Sequence, residues 1–558
     1  FLHFVVWFLM LVSVFNADRV GKEIKENKVT RSRGGEATLR DGFFHQLIKI
    51  SVFASALISL LAIGQHFFSI SDLLPQADRV YSLIGNAGVL GSYLIFNIFL
   101  AGYLVFSEFI ILSPATARLR IYFFLYSLFI ILNSFALLLS GTRGAWLGLL
   151  AGGIVFLILI SFLPTLKKGG GGWGGFKKLS ITFLVVIFIS TSLLVFSRNS
   201  SFIKTNPTLS RLTSISLTDS TLQSRLSLWQ SAWQTWRLKP LLGFGPENFE
   251  TAVAPRLSPE LINFEAYAFD RAHNFIFDYG VTVGWLGLLS YLAIFGVALG
   301  QLIKNFKNNL IFSSILISLL VAYLVQNFFI FDSFISYLML FFILALIANS
   351  NLSTCEVERL EEKIKFPLYK KIIFILLVFF VIYSAFSFSL KPFLAANSAN
   401  QILSLRASEA SQAAPLLKGA LTLNTFASPE IVYQTVLDYI DKISQNPALA
   451  RDEEFYSVAS AELSRIIARS PNQFKNYIAL SWLNLYFSGQ EKTRIDQSLQ
   501  LAQKVRELSP AKKDAYFLLV AGYSLSDQSQ KAAQAIDQAA AIDAKMGEEV
   551  RGYYDKLK

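Results

Sequence analysis

Cysteine is almost absent from this 558-residue chain: Cys355 stands alone, which excludes an intramolecular disulfide and any cysteine-rich metal centre. Histidine is scarce too, with His3, His45, His66 and His273 only, so a site built from several histidine ligands is not expected. Charged residues make up 16% of the chain while hydrophobic ones make up 53%. An ordinary soluble domain carries about 25% charge, so most of this chain is read as solvated by lipid; the mean hydropathy of +0.48 agrees. A net charge of +12 would suit a nucleic-acid partner, but the basic residues sit mostly in short loops between apolar runs, where membrane orientation explains them better. The chain begins at Phe1 inside an apolar run, with no basic n-region or small-residue cleavage site. It is expected to be cut from a longer chain that has a further helix upstream.

A bilayer-spanning helix needs about 20 mainly apolar residues. Ten runs qualify: 1–15, 43–64, 85–106, 119–139, 142–162, 179–197, 274–300, 309–330, 334–349 and 372–390. Lysine and arginine cluster in alternate loops: Arg19 to Arg40, Arg118 and Arg120, Lys167 to Lys178, Lys304 and Lys307, and Lys363 to Lys371. That alternation puts those loops in the cytoplasm. The loop at 198–273 and everything after Leu390 then face outward. The expected architecture is all-α, with a multi-span membrane domain over 1–390 that includes the outer loop 198–273, and an external helical domain over 391–558.

Gly144, Gly148 and Gly152 recur every fourth residue, as do Gly280 and Gly284, a spacing that lets helix backbones approach closely. A dense core behind a site and ordinary helix packing are both open readings. Gly169–Gly175 is a flexible link; no Lys-Ser/Thr follows it, so it does not cradle phosphate. In the tail, Ser470-Pro471 with Tyr477 aligns with Ser509-Pro510 and Tyr516, and Asp543-Ala544 lies one step further on. The step is near the tetratricopeptide period of about 34 residues. The tail therefore reads as TPR-like, with an irregular helical bundle as the alternative.

Chemistry is concentrated in the long loop at 198–273 and the helix ends that border it. Thr221 to Arg237 has helical periodicity, with Trp229, Trp233 and Trp236 on one face, suited to the headgroup level, and Arg225 one turn before Trp229. Arg143 opens a span, and a guanidinium beside hydrocarbon calls for a partner. His273 stands where the loop meets the seventh run. The bland readings are an interfacial anchor for the tryptophan helix, a snorkelling Arg143 and a capping His273.

The ordered set Ser140-Gly141-Thr142-Arg143-Gly144-Ala145, Arg225 with Trp229, Pro240-Leu241-Leu242-Gly243-Phe244-Gly245 with Phe249, and His273-Asn274 with Gly280 resembles the O-antigen ligase/polymerase family. The resemblance covers the fourth to ninth runs. It implies a metal-independent glycosyltransferase without a cofactor, working on an undecaprenyl-pyrophosphate-linked glycan at the outer face of a bacterial plasma membrane. It maps the family's essential arginines onto Arg143 and Arg225 and its essential histidine onto His273. Arg211, Arg237, Lys239 and Arg271 are further candidates for donor contacts, and Glu247 and Asn248 for orienting the loop or acceptor. Expected partners are the lipid-linked glycan, membrane lipids, an acceptor glycan, lipid or protein, and a protein bound by the TPR-like tail. Nucleic acid is not among them. Within this resemblance a ligase and a repeat-unit polymerase are both open; outside it, a transporter or flippase of lipid-linked glycans and a membrane anchor for a TPR module are the rivals.

Overall fold

The structure, a computed structural model, describes residues 43–70, 74–111, 117–161, 196–205, 220–258, 269–307, 309–349, 386–446, 452–489 and 491–557, with a few single positions between them. The runs at 1–15, 179–197 and 372–390 lie wholly or largely outside this set, as do the basic loop before residue 43, the 169–175 link, Arg211 and Cys355.

The regular structure among the described residues is helical. In chain order come α1 (Phe43–Phe67), α2 (Ala87–Ile111), α3 (Ala117–Leu139), α4 (Arg143–Ser161), α5 (Ser220–Trp236), α6 (Phe249–Val253), α7 (Phe275–Lys304), α8 (Leu310–Asn327) and α9 (Phe334–Asn349). A helical array follows: α10 (Lys391–Ser404), α11 (Ala413–Thr422), α12 (Ser428–Gln445), α13 (Glu453–Arg469), α14 (Phe474–Tyr486), α15 (Lys492–Leu508), α16 (Lys513–Leu525), α17 (Ser529–Ile542) and α18 (Ala544–Leu557). The chain forms two compact units. The first holds the membrane helices; the second holds Ser224–Lys239, Phe244–Asp270 and the array.

Within the first unit, α1, α2, α3, α4, α7 and α8 are each long and apolar enough to cross a membrane, and α9 is a shorter apolar helix. The protein is a polytopic membrane protein. Its surface agrees, since Phe53, Leu57, Leu60, Phe124 and Ile131 all point outward, with Phe124 71% exposed. Lipid tails do not drive such helices together, so small residues and polar pairs have to hold them. Ser51 Oγ donates to Asn97 Oδ1 at 2.7 Å, and Ser59 Oγ to Asn133 Oδ1 at 2.7 Å. Asn133 Nδ2 returns a bond to Ser55 Oγ at 2.9 Å, so α1 is tied to both α2 and α3. Gln326 Nε2 donates to Ser92 Oγ at 2.6 Å and joins α8 to α2.

The glycines of α4 seat it on α8. A Cβ at Gly148 would lie 2.5 Å from the Ala322 carbonyl oxygen, and one at Gly152 would lie 2.6 Å from that of Ser318. Both glycines are buried. Gly284 behaves differently from this expected packing role: it has φ +65 and ψ −168, outside the helical range, and breaks α7.

The second unit is a run of helices packed in sequence, α14 on α15, α15 on α16, α16 on α17 and α17 on α18. One device recurs in it. Ser470 N bonds the Ile466 carbonyl at 2.8 Å, and Ser509 N bonds that of Val505 at 2.8 Å. The following proline carbonyl then accepts the hydroxyl of the tyrosine six residues on, Tyr477 to Pro471 and Tyr516 to Pro510, each at 3.0 Å. The same turn is thus built twice from the same residue types. The 254–256 stretch packs on this array: Ala254 is buried among Phe474, Tyr477 and Ala515, and its carbonyl accepts from Ser509 Oγ at 3.5 Å.

Two outcomes follow. Gly148→Ala pushes α4 off α8 and destabilises the protein by about 1–3 kcal/mol, whereas Gly153→Ala, whose Cβ meets open space, is neutral; thermal unfolding of the purified protein in detergent compares them. Burial raises the pKa of Glu250 despite its ion pair with Lys475. A carboxyl raised in the folded state contributes stability below its ordinary pKa of about 4.5 and loses it as pH climbs through the raised value. Glu250→Gln is therefore more heat-stable than the parent at neutral pH, and the gap closes below about pH 4.5.

Candidate functional site

One end of the first unit gathers four connections: the α1–α2 loop, the 140–142 turn before α4, the 271–274 turn before α7, and the 328–333 segment between α8 and α9. Arg143 is the first residue of α4, half-buried. The turn before it is held on three sides. Gly141 has φ +61, and Arg79 lays its stem where a Cβ would sit, with Cγ 3.3 Å away. Arg79 Nε donates to the Ser140 carbonyl at 3.3 Å, and Thr142 Oγ1 to the Ala87 carbonyl at 3.0 Å. Gly144 then rests against Phe329, whose Cβ would be 2.8 Å from an added one. A guanidinium placed at a helix N-terminus adds its charge to the positive end of the helix dipole, an arrangement that favours an anion.

His273 has φ +51, the left-handed region that side chains with a Cβ seldom adopt. Its neighbours hold it there. Asn274 caps α7, with Oδ1 accepting from Ile276 N at 2.9 Å and Phe277 N at 3.5 Å. Asp278, on the first turn of α7, accepts from Ala272 N at 3.4 Å and pairs with Arg271 at 3.3 Å. The His273 ring has Nδ1 3.3 Å from the Arg271 carbonyl and meets the Phe331 ring edge to face at 5.3 Å. The Arg271 guanidinium lies 5.9 Å from the same ring. Arg271, one of the candidates for donor contact, thus also pairs with Asp278 within the turn that carries His273.

The 328–333 segment therefore touches both places: Phe329 backs Gly144 and Phe331 backs His273. Asp332 fixes that segment. Its carboxylate accepts from Asn327 Nδ2 at 2.7 Å, Tyr279 OH at 3.0 Å, Ser336 Oγ at 3.4 Å and Tyr323 OH. Tyr279 OH also lies 2.5 Å from Tyr337 OH. Sequence reading passed over Asp332, although it is the one charged residue between Lys307 and Glu356. It also passed over Arg79, whose sequence neighbourhood carries no such signal.

The break in α7 has its own partner. With the helix interrupted at Gly284, Trp285 N bonds the Pro240 carbonyl at 2.8 Å and Leu286 N that of Leu241 at 3.2 Å. Gly243, at φ +66, lies so close to α7 that a Cβ would be 2.6 Å from the Thr282 carbonyl oxygen, and one at Gly284 would meet Leu241 backbone at 2.4 Å. Pro240-Leu241-Leu242-Gly243 is thus a backbone plug seated in the broken helix.

These residues match a family. The model described as O-antigen ligase covers residues 128–292, from α3 into α7. The chain carries an O-antigen ligase family domain. A comparison with curated protein sequences found no match. The ligase-family region contains Arg143, the α5 helix, the plug and His273. The match supports a membrane enzyme of the O-antigen ligase family.

The remaining candidates from the sequence fall in the second unit. Arg225 is half-buried on α5. Arg237 and Lys239 are exposed just past its end, with Lys239 Nζ 4.8 Å from the Phe244 ring centre. Glu247, at φ +62, and Asn248, donating to the Phe244 carbonyl at 3.0 Å, shape an exposed turn that leads into α6. The tryptophan face expected to sit uniformly at headgroups is divided. Trp233 is 44% exposed but Trp236 only 2%, because Trp236 is part of the buried core. Among the described residues no group of three or more His, Cys, Asp or Glu side chains could hold a metal ion.

The plug gives a coupled prediction. Gly243→Ala and Gly284→Ala each strain a left-handed residue and force the same two backbones apart, costing about 1–3 kcal/mol apiece. Because both break one contact, the double variant loses less than the two losses combined. Full additivity in thermal unfolding would show the contact is not shared.

Proposed function

We propose that this protein moves a glycan from an undecaprenyl-pyrophosphate carrier to an acceptor hydroxyl or amine at the outer face of the plasma membrane. The observation that carries the reading is the 328–333 segment, which backs Gly144 beside Arg143 and also backs His273, two positions far apart in the ligase-family region. Arg143, Arg225 and His273 are the residues assigned to the chemistry.

In the transfer, the acceptor oxygen or nitrogen attacks the anomeric carbon as the bond from that carbon to the pyrophosphate oxygen breaks. The leaving oxygen keeps the electron pair. His273 takes the acceptor proton, and attack opposite the leaving group inverts the anomeric centre. Arginine suits the leaving group because its planar fork of donors matches phosphate oxygens and stays charged at any working pH. Charge that develops only in the transition state rewards such donors most. No metal is required in this scheme. Arg211, Arg237, Lys239 and Arg271 remain candidates for donor contacts, Glu247 and Asn248 for orienting the loop or acceptor, and the α10–α18 array is read as a TPR-like partner or acceptor module.

The test is transfer of a lipid-pyrophosphate-linked glycan by the purified protein in proteoliposomes, with mass spectrometry of the product. Arg143→Ala, Arg225→Ala and His273→Ala each lower the rate by about 100-fold or more, and Arg143→Lys restores little because an ammonium lacks the fork. A chelator leaves the rate unchanged. Full transfer by Arg225→Ala, or lipid translocation without transfer by the parent protein, would end the reading, the second in favour of a flippase.

A further inference from the structure

The second unit contains a polar cleft that the transfer scheme does not use. It is about 80 Å³ in volume and lies between α6, the start of α12 and the turn leading into α14. Glu250 and Thr251 come from α6, Glu430 and Tyr433 from α12, and Gln473, Lys475 and Asn476 from the array turn. Glu250 and Thr251 thus belong to the ligase-family region and the other seven lining residues to the array.

Its side chains are held in place from behind. Glu250 Oε1 pairs with Lys475 Nζ at 3.1 Å. Lys475 Nζ lies 6.0 Å from the Tyr433 ring centre. Gln434 Nε2 donates to Glu430 Oε1 at 2.7 Å, and Asn476 Nδ2 to Gln473 Oε1 at 3.2 Å. The floor is firm, because Phe474 and Asn476 are buried and Ala254, just past α6, is packed into the array core.

We propose that this cleft is a carbohydrate subsite, one that holds a sugar ring of the acceptor; the acceptor assignment rests on the transfer reading above. A pyranose ring presents hydroxyls that both donate and accept, on a body with an apolar face. The cleft matches both properties. Two carboxylates accept, an ammonium donates, and two carboxamides and a threonine hydroxyl do either. Tyr433 offers a flat apolar surface beside them. A phosphate would meet two carboxylates against one lysine, and a simple cation has no need of the lysine. The volume is small, which suits one ring at a chain end and not an extended polymer. Glu250 adds a supporting sign: its carboxylate is kept in a place where burial disfavours its charge, a cost to stability that a ligand-binding role accounts for.

The experiment uses the full-length protein in nanodiscs. Methyl glycosides of hexoses and N-acetylhexosamines are probed by saturation-transfer NMR, and acceptor kinetics are followed with a lipid-linked donor. At least one glycoside is expected to give a signal that falls several-fold in Tyr433→Ala and in Glu430→Gln, an exposed position with little bearing on folding. The same variants are expected to raise the acceptor KM several-fold, with kcat and the donor KM unchanged. No glycoside signal in the parent protein, or equal signals and equal acceptor KM in parent and variants of unchanged thermal stability, overturns the subsite. If Tyr433-dependent glycoside binding persists while the parent transfers nothing, the cleft stands as a sugar site and the transfer reading fails.

Discussion

Backbone polar groups inside a membrane protein must find partners within the protein, because lipid offers none. That constraint governs the broken helix at Gly284. Interrupting α7 frees amide groups that an intact helix would satisfy internally, and the carbonyls of Pro240 and Leu241 take them up. The contact works only because neither backbone carries a Cβ at the crossing, where Gly243 and Gly284 both lie in the left-handed region. A loop segment thereby becomes a fixed part of a membrane helix, and the stretch that follows α5 has a defined anchor.

The polar end of the first unit is organised by the same economy of partners. Arg143 and His273 each sit beside residues that hold the turn in place. Gly141 and Arg79 set the turn before Arg143; Asn274, Asp278 and Arg271 set the left-handed turn at His273. Asp332, with amide, hydroxyl and phenol donors around it, steadies the segment that touches both. These donors meet the hydrogen-bonding capacity of the Asp332 side chain within the protein. Asp332 can therefore serve as a rigid pin.

The second unit shows why the stretch between α5 and α7 should not be regarded as a free loop. Part of it is built into the helical array, through Ala254 in the core and Glu250 on Lys475. The repeated Ser-Pro turn with its tyrosine gives that array a regular step, each copy closing one helix and aligning the next. Burial raises the pKa of Glu250 and Lys475 opposes the shift, so burial and ion pairing pull in opposite directions at this residue.

Sequence alone settled the all-helical, membrane-spanning character, because runs of about 20 apolar residues leave the backbone few other choices. It also marked Arg143, Arg225 and His273, whose ordered motifs carry the likeness to the O-antigen ligase family, and the Ser-Pro-Tyr repeat, whose residue types dictate a local turn. Gly144, Gly148 and Gly152 announced close packing through their spacing, but Gly284 shared that spacing and proved to be a break, since only a non-local partner at 240–241 makes a break tolerable. The tryptophans of α5 looked equivalent by period, yet Trp236 is buried and Trp233 exposed, a difference set by what packs against the helix. Arg79, Asp332 and the Glu250 cleft belong to the tertiary structure in the same sense. Their roles come from contacts between segments distant along the chain, and a one-dimensional pattern records the segments but not which of them meet.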